Sequence, residues 1–367
     1  MSELIVQVVT IDEIRPHPDP EATRIELAIV KGWQTVVPVG KYEAGDTAIY
    51  VPPDAMIPPD VAEHWGVTNH LGSDGRVRCA RLRGAMSFGF LADVEGITYR
   101  GFGGDKSLFD RDPKIQVTMI SPQIGEDVAE YYGITKWEPA VTFNTAELEK
   151  EHPAFRHYTD IQNFENFPWV IREGEEVVIT EKSHGTNSRS AKVRSLNEND
   201  PPLVICGTHE HQVIRGIGSV YEMPLGMESV RNLLDDLYDG NPGRNGVILY
   251  GEIYGQQTLK YGLDKGRVAF LAFDISIDGE MMNWDDFVSA CQKHGVPIVP
   301  VLYRGPFSSD ILREMSGGNT VIGGDHIKEG VVVHPVIERN DLEIRRVILK
   351  RISDQYRLKA DRISDSH

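Results

Sequence analysis

The run Glu181-Lys182-Ser183-His184-Gly185-Thr186-Asn187 sets one lysine at the end of a β-branched segment, residues 175–180 (EEVVIT), and follows it with glycine and small polar side chains. A strand fixes the stem of a lysine, and a glycine lets backbone come close to a phosphate. This is therefore a setting in which an amine can attack phosphorus. By itself the string also suits a plain turn between hairpin strands. Its company downstream argues for more. Residues 247–253 (VILYGEI) read as a strand carrying Glu252, and residues 268–275 (VAFLAFDI) as an apolar strand with Phe270, Phe273 and Asp274. Glu329 heads the β-branched run 330–334, and residues 345–350 (RRVILK) read as a strand that ends on Lys350. Taken singly, each has an ordinary explanation: a solvated glutamate, a core phenylalanine, a surface lysine. In order they make a set of lysine, glutamate, aromatic, glutamate and lysine, all on strands.

The elements that must carry this set follow from periodicity and punctuation. Residues 4–10, 24–30, 35–39 and 47–51 are rich in β-branched side chains and separated by Pro16, Pro18, Pro20, Gly32, Gly40 and Gly45, a pattern of short strands that predicts a small barrel. A proline-rich connection, 52–59, comes next. Then Arg76, Arg78, Arg81 and Arg83 form the clearest basic cluster of the chain. In a regular strand Arg76 and Arg78 share one face and Arg81 and Arg83 the other, so only a bulge near Cys79-Ala80 brings all four together. The alternative is an exposed edge strand kept from aggregating by its charge. Residues 101–112 read as a glycine- and aspartate-rich loop, and 111–162 as a connector with short helices. From residue 163 strands alternate with helices, the best of which are 230–239 and 284–294. The glycine-rich stretch 316–324 (SGGNTVIGG) lacks the Lys-Ser/Thr ending of a phosphate-binding P-loop. The expected domains are 1–110, an all-β module; 163–356, an α+β domain with mainly antiparallel sheets; and 357–367, a tail.

Composition narrows the function classes. The 367 residues carry a formal net charge of −17. That argues against broad nonspecific binding to nucleic acid and requires any such claim to rest on a local cluster. Three cysteines, Cys79, Cys206 and Cys291, lie far apart with no paired spacing, so neither a disulfide framework nor a thiolate zinc site is indicated and a reducing cytoplasm fits. Residues 1–10 lack the basic start and apolar run of a signal peptide, and no stretch reaches membrane-spanning length.

Residues 163–356 resemble the nucleotidyltransferase domain of ATP-dependent RNA ligases, closest to the branch whose first motif reads E-K-x-H-G-T-N. Glu181, Lys182, His184, Gly185, Thr186 and Asn187 match that motif throughout. Tyr250 to Gly255 match the third motif, Phe270 to Ile275 the aromatic strand after it, and Glu329-Gly330 the fourth. The fifth matches in part: Lys350 fits the first of its two lysines, Ile352 stands where the second belongs, and Arg351 or Arg346 is a possible substitute. His334 stands where the family often has a basic residue. With an OB-like module in front, the whole chain looks like the Deinococcus-type RNA ligase subfamily. The resemblance implies ATP as substrate, AMP carried covalently on Lys182, and Mg2+ or Mn2+ held at Glu329. It implies nucleotide contacts from Glu181, His184, Gly185, Asn187, Glu252 and Phe273, and charge stabilisation by Lys350. The implied partner is RNA with a 3′-hydroxyl end, in a nicked duplex with RNA or DNA, gripped by Trp33, Arg76, Arg78, Arg81 and Arg83. Two other functions share parts of this pattern: a GTP-using capping guanylyltransferase, whose OB module follows rather than precedes its catalytic domain, and a non-catalytic OB-fold RNA-binding protein.

Overall fold

The structure is a computed structural model that describes residues 3–72, 74–94, 97–98, 119–120, 122–137, 147–197, 199–240, 243–255, 259 and 261–358. The expected loop at 101–112 lies outside the described residues. The chain divides into two compact units, one of Ser2–Ala140 with Arg357–His367, the other of Val141–Tyr356 with Met1. The stretch read as a connector is therefore shared out. Val128 and Ile134 lie in an apolar cluster of the first unit, and the strand Thr135–Lys136 pairs with Ala55–Met56 there. Phe155 and Tyr158 belong to a core of the second.

The first unit is built from short antiparallel strands. Gln7–Thr10, Thr47–Val51 and Phe90–Asp93 form one three-stranded sheet; Glu13–Pro16, Ile25–Val30 and Trp33–Pro38 form another. Their alternating side chains supply a core of Val9, Ile11, Ala28, Val30, Trp33 and Tyr50. The segment expected to be a plain proline-rich connection holds the strand Ala55–Met56 and the helix Pro59–His64, which Pro59 starts at the position where its missing N–H costs nothing.

The second unit holds two larger sheets. In the five-stranded sheet, Gln162–Asn163, Leu349–Ile352, Gly330–Pro335, Glu176–Lys182 and Val301–Pro306 lie side by side in that order. In the six-stranded sheet the order is Gln212–Val213, Leu203–Gly207, Gly185–Val193, Gly246–Tyr254, Ala269–Ile277 and Glu280–Met281. The expected helices form as Glu228–Asp239 and Trp284–His294, each laying an apolar stripe (Val230, Leu233 and Leu234; Trp284, Phe287 and Cys291) into the largest cluster. The strand expected at 345–350 is broken in two. Arg345 takes a left-handed φ of 62°, Val347 bonds back to the Arg339 carbonyl, and pairing resumes only at Leu349. Lys350 thus sits inside a second short strand rather than at the end of a longer one. Among the described residues no helix is long and apolar enough to cross a membrane.

Candidate active site

Register decides which face each functional side chain takes. Lys182 pairs with Gly330, which pairs with Ile352; Thr180 pairs with Val332, which pairs with Lys350. Directly opposed residues of antiparallel strands share a face, so Lys182, Lys350 and Ile352 lie on one side of the five-stranded sheet. That side also carries Val332, which packs against Ala191, Ile248 and Tyr250 of the six-stranded sheet. The other side carries Val177, Ile179, Val331, Val333 and Leu349, packed with Phe164 and Leu312. Glu181, one residue from the lysine, falls on this second side together with its cross-strand neighbours Val331 and Arg351.

Around Lys182 the charges are arranged in a chain. Its Nζ lies 2.8 Å from Glu329 Oε1, and Glu329 Oε2 lies 3.0 Å from Nδ1 of His184. The His184 backbone N–H donates to the Tyr261 hydroxyl at 2.7 Å, and the Tyr356 hydroxyl lies 3.2 Å from the same Nδ1. Burial pulls the Lys182 pKa down, but the charges of Glu329 and Glu252 outweigh it and the net shift is upward. Burial pushes Glu329 up, yet the ammonium of Lys182 and the His184 hydrogen bond carry it down to about 2. Glu252 goes the other way: burial dominates, Lys182 offsets only part of it, Glu329 adds like-charge repulsion, and its pKa rises to about 7. Two carboxylates beside one lysine are thus driven apart, one firmly ionised and one poised near neutrality. The charged partner in contact with Lys182 is a carboxylate, which favours its protonated form.

The strand Gly185–Val193 opposes Asn187 to Glu252. The Asn187 side-chain oxygen is buried with no hydrogen-bond partner among the described residues, which marks a place where a ligand donor fits. Gly185 has a packing reason beside any phosphate approach: an added Cβ would stand 2.2 Å from the Ile253 carbonyl oxygen. Gly251 is required likewise, because the Phe270 ring occupies the space its Cβ would take. Tyr250 pairs with Asp274 and Gly251 with Ala272, so Phe273 is the extra residue of a β-bulge, half-buried and edge-on to Tyr158 at 4.8 Å. Bulges re-aim side chains in this way next to active sites.

Several residues named from the sequence have other employment. The Glu181 carboxylate is buried and accepts hydrogen bonds from the Thr320 hydroxyl and the Val321 N–H, so it fastens the glycine-rich loop instead of facing the lysine side. Arg351 points away with it, bonding Glu165 at 3.0 Å and the Ser316 hydroxyl. Arg346 is buried against Asp274, Glu338 and Tyr158. Neither arginine replaces the missing second lysine at Ile352. His334 is buried against Trp284, its pKa lowered by that burial. In the first unit, Trp33 is 5% exposed and packs on Tyr50 and Phe88 in the core, which corrects its expected place on a binding face. Arg76 is also buried, paired to Asp54 at 2.6 Å and stacked 3.7 Å over Trp137. Arg78 is mostly covered, with Asp74 at 3.8 Å. Only Arg81 and Arg83 are exposed. Arg83 and Gly84, with φ of 44° and 92°, make the two-residue turn between Cys79–Leu82 and Ala85–Phe88. The four arginines do not form one face. Sequence reasoning missed Tyr261 and Tyr356, for which the string around them carried no signal.

A cavity of about 310 Å³ lined by His152, Arg156, Arg194, Asn245 and Asp278 lies elsewhere, at the Val193–Gly246 end of the same strands that bring Gly185 and Tyr254 to the lysine.

Residues 175–352 match the RNA ligase family and residues 5–94 an OB-fold domain. The similarity to the RNA ligase family thus lies in the second unit. The likeness of fold extends over the whole molecule. A Naegleria gruberi RNA ligase with PPi superposes with a TM-score of 0.72 at 23% identity, covering 98% of this chain and 99% of that one. Variants of the same ligase with ATP and Mn (TM-score 0.73, 22% identity, 97% and 99% covered) and with AMP and Mn (0.71, 22%, 97% and 99%) are alike. No curated protein matches the sequence.

Proposed function

We propose that the protein is an ATP-dependent RNA ligase that joins a 3′-hydroxyl RNA end to a 5′-phosphate at nicks in duplexes, through lysyl-AMP and an adenylylated strand. The observation that carries the reading is Lys182 held between Glu329 and Glu252, on the sheet face it shares with Lys350. Lys182 attacks the α-phosphorus of ATP and pyrophosphate leaves; AMP passes to the strand's 5′-phosphate; the 3′-hydroxyl then attacks that phosphate and AMP leaves. Mutation-bearing relatives of this fold solved with ATP or AMP and Mn support the choice of nucleotide and metal.

The residues divide the work by their chemistry. An amine must be neutral to attack, and Glu329 holds Lys182 as an ammonium. Once the Glu329 carboxylate is engaged elsewhere, the larger upward pull on Lys182 is weakened, only that of Glu252 remains, and burial works toward the neutral amine. Glu329 has the hard oxygen donors that Mg2+ or Mn2+ takes together with substrate phosphates, and such a cation supplies charge neutralisation on the phosphates when bound. Among the described residues no group of three acidic, histidine or cysteine side chains could hold a metal. That suits an ion shared with the substrate better than a protein-built cage. Glu252 accepts from a ribose hydroxyl, Asn187 offers its unpartnered oxygen, Phe273 stacks on adenine, and Lys350 stabilises charge on the α-phosphate. Arg81 and Arg83, at the exposed hairpin, contact the duplex backbone.

The test is incubation with ATP labelled at the α-phosphate and a divalent metal, beside labelled GTP. A covalent label from ATP, lost in Lys182→Ala, is the expected result. No label on the wild type ends the ligase reading, and a label from GTP alone moves it to guanylyl transfer. Sealing of nicked duplexes with ribose or deoxyribose on each side then fixes the substrate.

A further inference from the structure

The Tyr356 hydroxyl stands at the end of the chain that runs from Lys182 through Glu329 and His184. Its ring lies 5.8 Å from the His184 ring. The hydrogen-bond inventory around His184 Nδ1 leaves little freedom. Glu329 is ion-paired with the Lys182 ammonium at 2.8 Å, and a carboxylate without a proton can only accept. The proton on the 3.0 Å contact therefore belongs to Nδ1. A nitrogen that carries this proton cannot also accept one from Tyr356, so at 3.2 Å the phenol oxygen can only share the same N–H as a second acceptor. That leaves the Tyr356 proton to be donated somewhere else. Among the described residues the hydroxyl meets no other partner within hydrogen-bond distance.

We propose that Tyr356 is a phosphate-binding residue of the Lys182 site, its hydroxyl donating to a non-bridging phosphate oxygen while accepting from His184. The proposal rests on the ligase reading and deepens it. A phosphate oxygen is the fitting acceptor because the proton needs a strong one, and the neighbouring protein acceptor, Glu329, is already shared between Lys182 and His184. A ribose hydroxyl is better served by a carboxylate such as Glu252. His184 then acts as a positioning residue, with its backbone N–H tied to Tyr261 and its ring tied to Glu329, and it fixes where the phenol oxygen stands. The phosphate can belong to the nucleotide or to the 5′ end of the strand, and both present the same acceptor.

The experiment compares wild type and Tyr356→Phe in three separate steps: labelling by ATP (with Lys182→Ala as the unlabelled control), transfer of AMP from isolated lysyl-enzyme to a nicked strand, and closure of a pre-adenylylated nick. Tyr356→Phe keeps the ring on His184 and removes only the donor. Loss of a hydrogen bond to a charged group predicts a fall of about 10- to 100-fold. A fall confined to labelling assigns the nucleotide phosphates; a fall in transfer or closure assigns the strand phosphate. In either case the melting temperature stays at the wild-type value. A Tyr356→Phe enzyme within about twofold of wild type at every step, against the expected tenfold or more, overturns the proposal. So does one that slows all three steps equally while melting lower, because that is a structural role. If the wild type itself takes no label, the ligase reading has failed, and the result is distinguishable from failure of the Tyr356 proposal alone.

Discussion

The two units treat their charged residues in opposite ways. In the first, Arg76, Arg78, Arg81 and Arg83 are neighbours in the chain and separate in space: Arg76 turns inward to Asp54 and Trp137, while Arg81 and Arg83 stand out on a hairpin. In the second, Lys182 and Glu329 are 147 positions apart in the chain and 2.8 Å apart in the fold. A run of like charges in one short segment has no fold-level reason to share a face, because strand alternation and turns divide it. Residues at the ends of adjacent strands do have such a reason, because register places them side by side. An ordered set spread over strands was thus a better guide to a site than a local cluster.

The strongest way to break this contrast is Lys182→Ala. Removal of the proposed nucleophile should lower ATP labelling by at least about 1,000-fold, and a label that survives would detach the second unit's chemistry from its convergence. Next in size is Arg351→Met. If Arg351 belongs to the back of the sheet, breaking its buried pair with Glu165 should cost about 3 kcal/mol in chemical unfolding while the rate of labelling per folded molecule holds. A labelling defect with unchanged stability would return Arg351 to the phosphate side.

A third effect depends on pH. The folded pKa of Glu252, about 7, lies above its ordinary 4.5, so folding favours its protonated form. Its favourable contribution is complete below about pH 4.5 and is lost as pH rises through 7. Glu252→Gln should therefore be more stable than wild type above pH 7, by about 2 kcal/mol, with the difference closing toward pH 4.5. Glu329, depressed to about 2, has the opposite sign: its contribution is present above pH 4.5 and lost as pH falls toward 2. Thermal melts across pH 4 to 8 read the first directly, and a flat difference would show that Glu252 is not the strained member of the pair.

The smallest effect probes the first unit. Arg81→Glu with Arg83→Glu should weaken binding to a nicked duplex about tenfold and reduce its salt dependence, with ATP labelling unchanged. Arg76→Ala should instead lower the stability of that unit. Equal loss of binding from all of these substitutions would restore the single arginine face that the structure breaks up.

Much of the second unit was legible because its signals are local. The β-branched runs around Val177–Ile179 and the amphipathic stripe of Trp284–His294 express constraints carried by a few consecutive residues. Trp33 misled because an aromatic beside glycine reads the same whether it faces solvent or core, and only the closure of strands around it settles which. Arg346 and Arg351 misled for a related reason. One residue of shift, or one left-handed residue at Arg345, exchanges the faces of a strand, and composition does not record it.

By itself the sequence determined most strands and both long helices of the second unit, the mainly β character of the first, and the motif that carries Lys182, because backbone preference and motif spacing act over short stretches. Tertiary structure alone decided that Glu181 and Arg351 stand behind the sheet, that Glu252 is pushed up by burial while Glu329 is pulled down by Lys182, and that two tyrosines hold His184. Those outcomes depend on which strands become neighbours and how much water they exclude, quantities that no single segment contains.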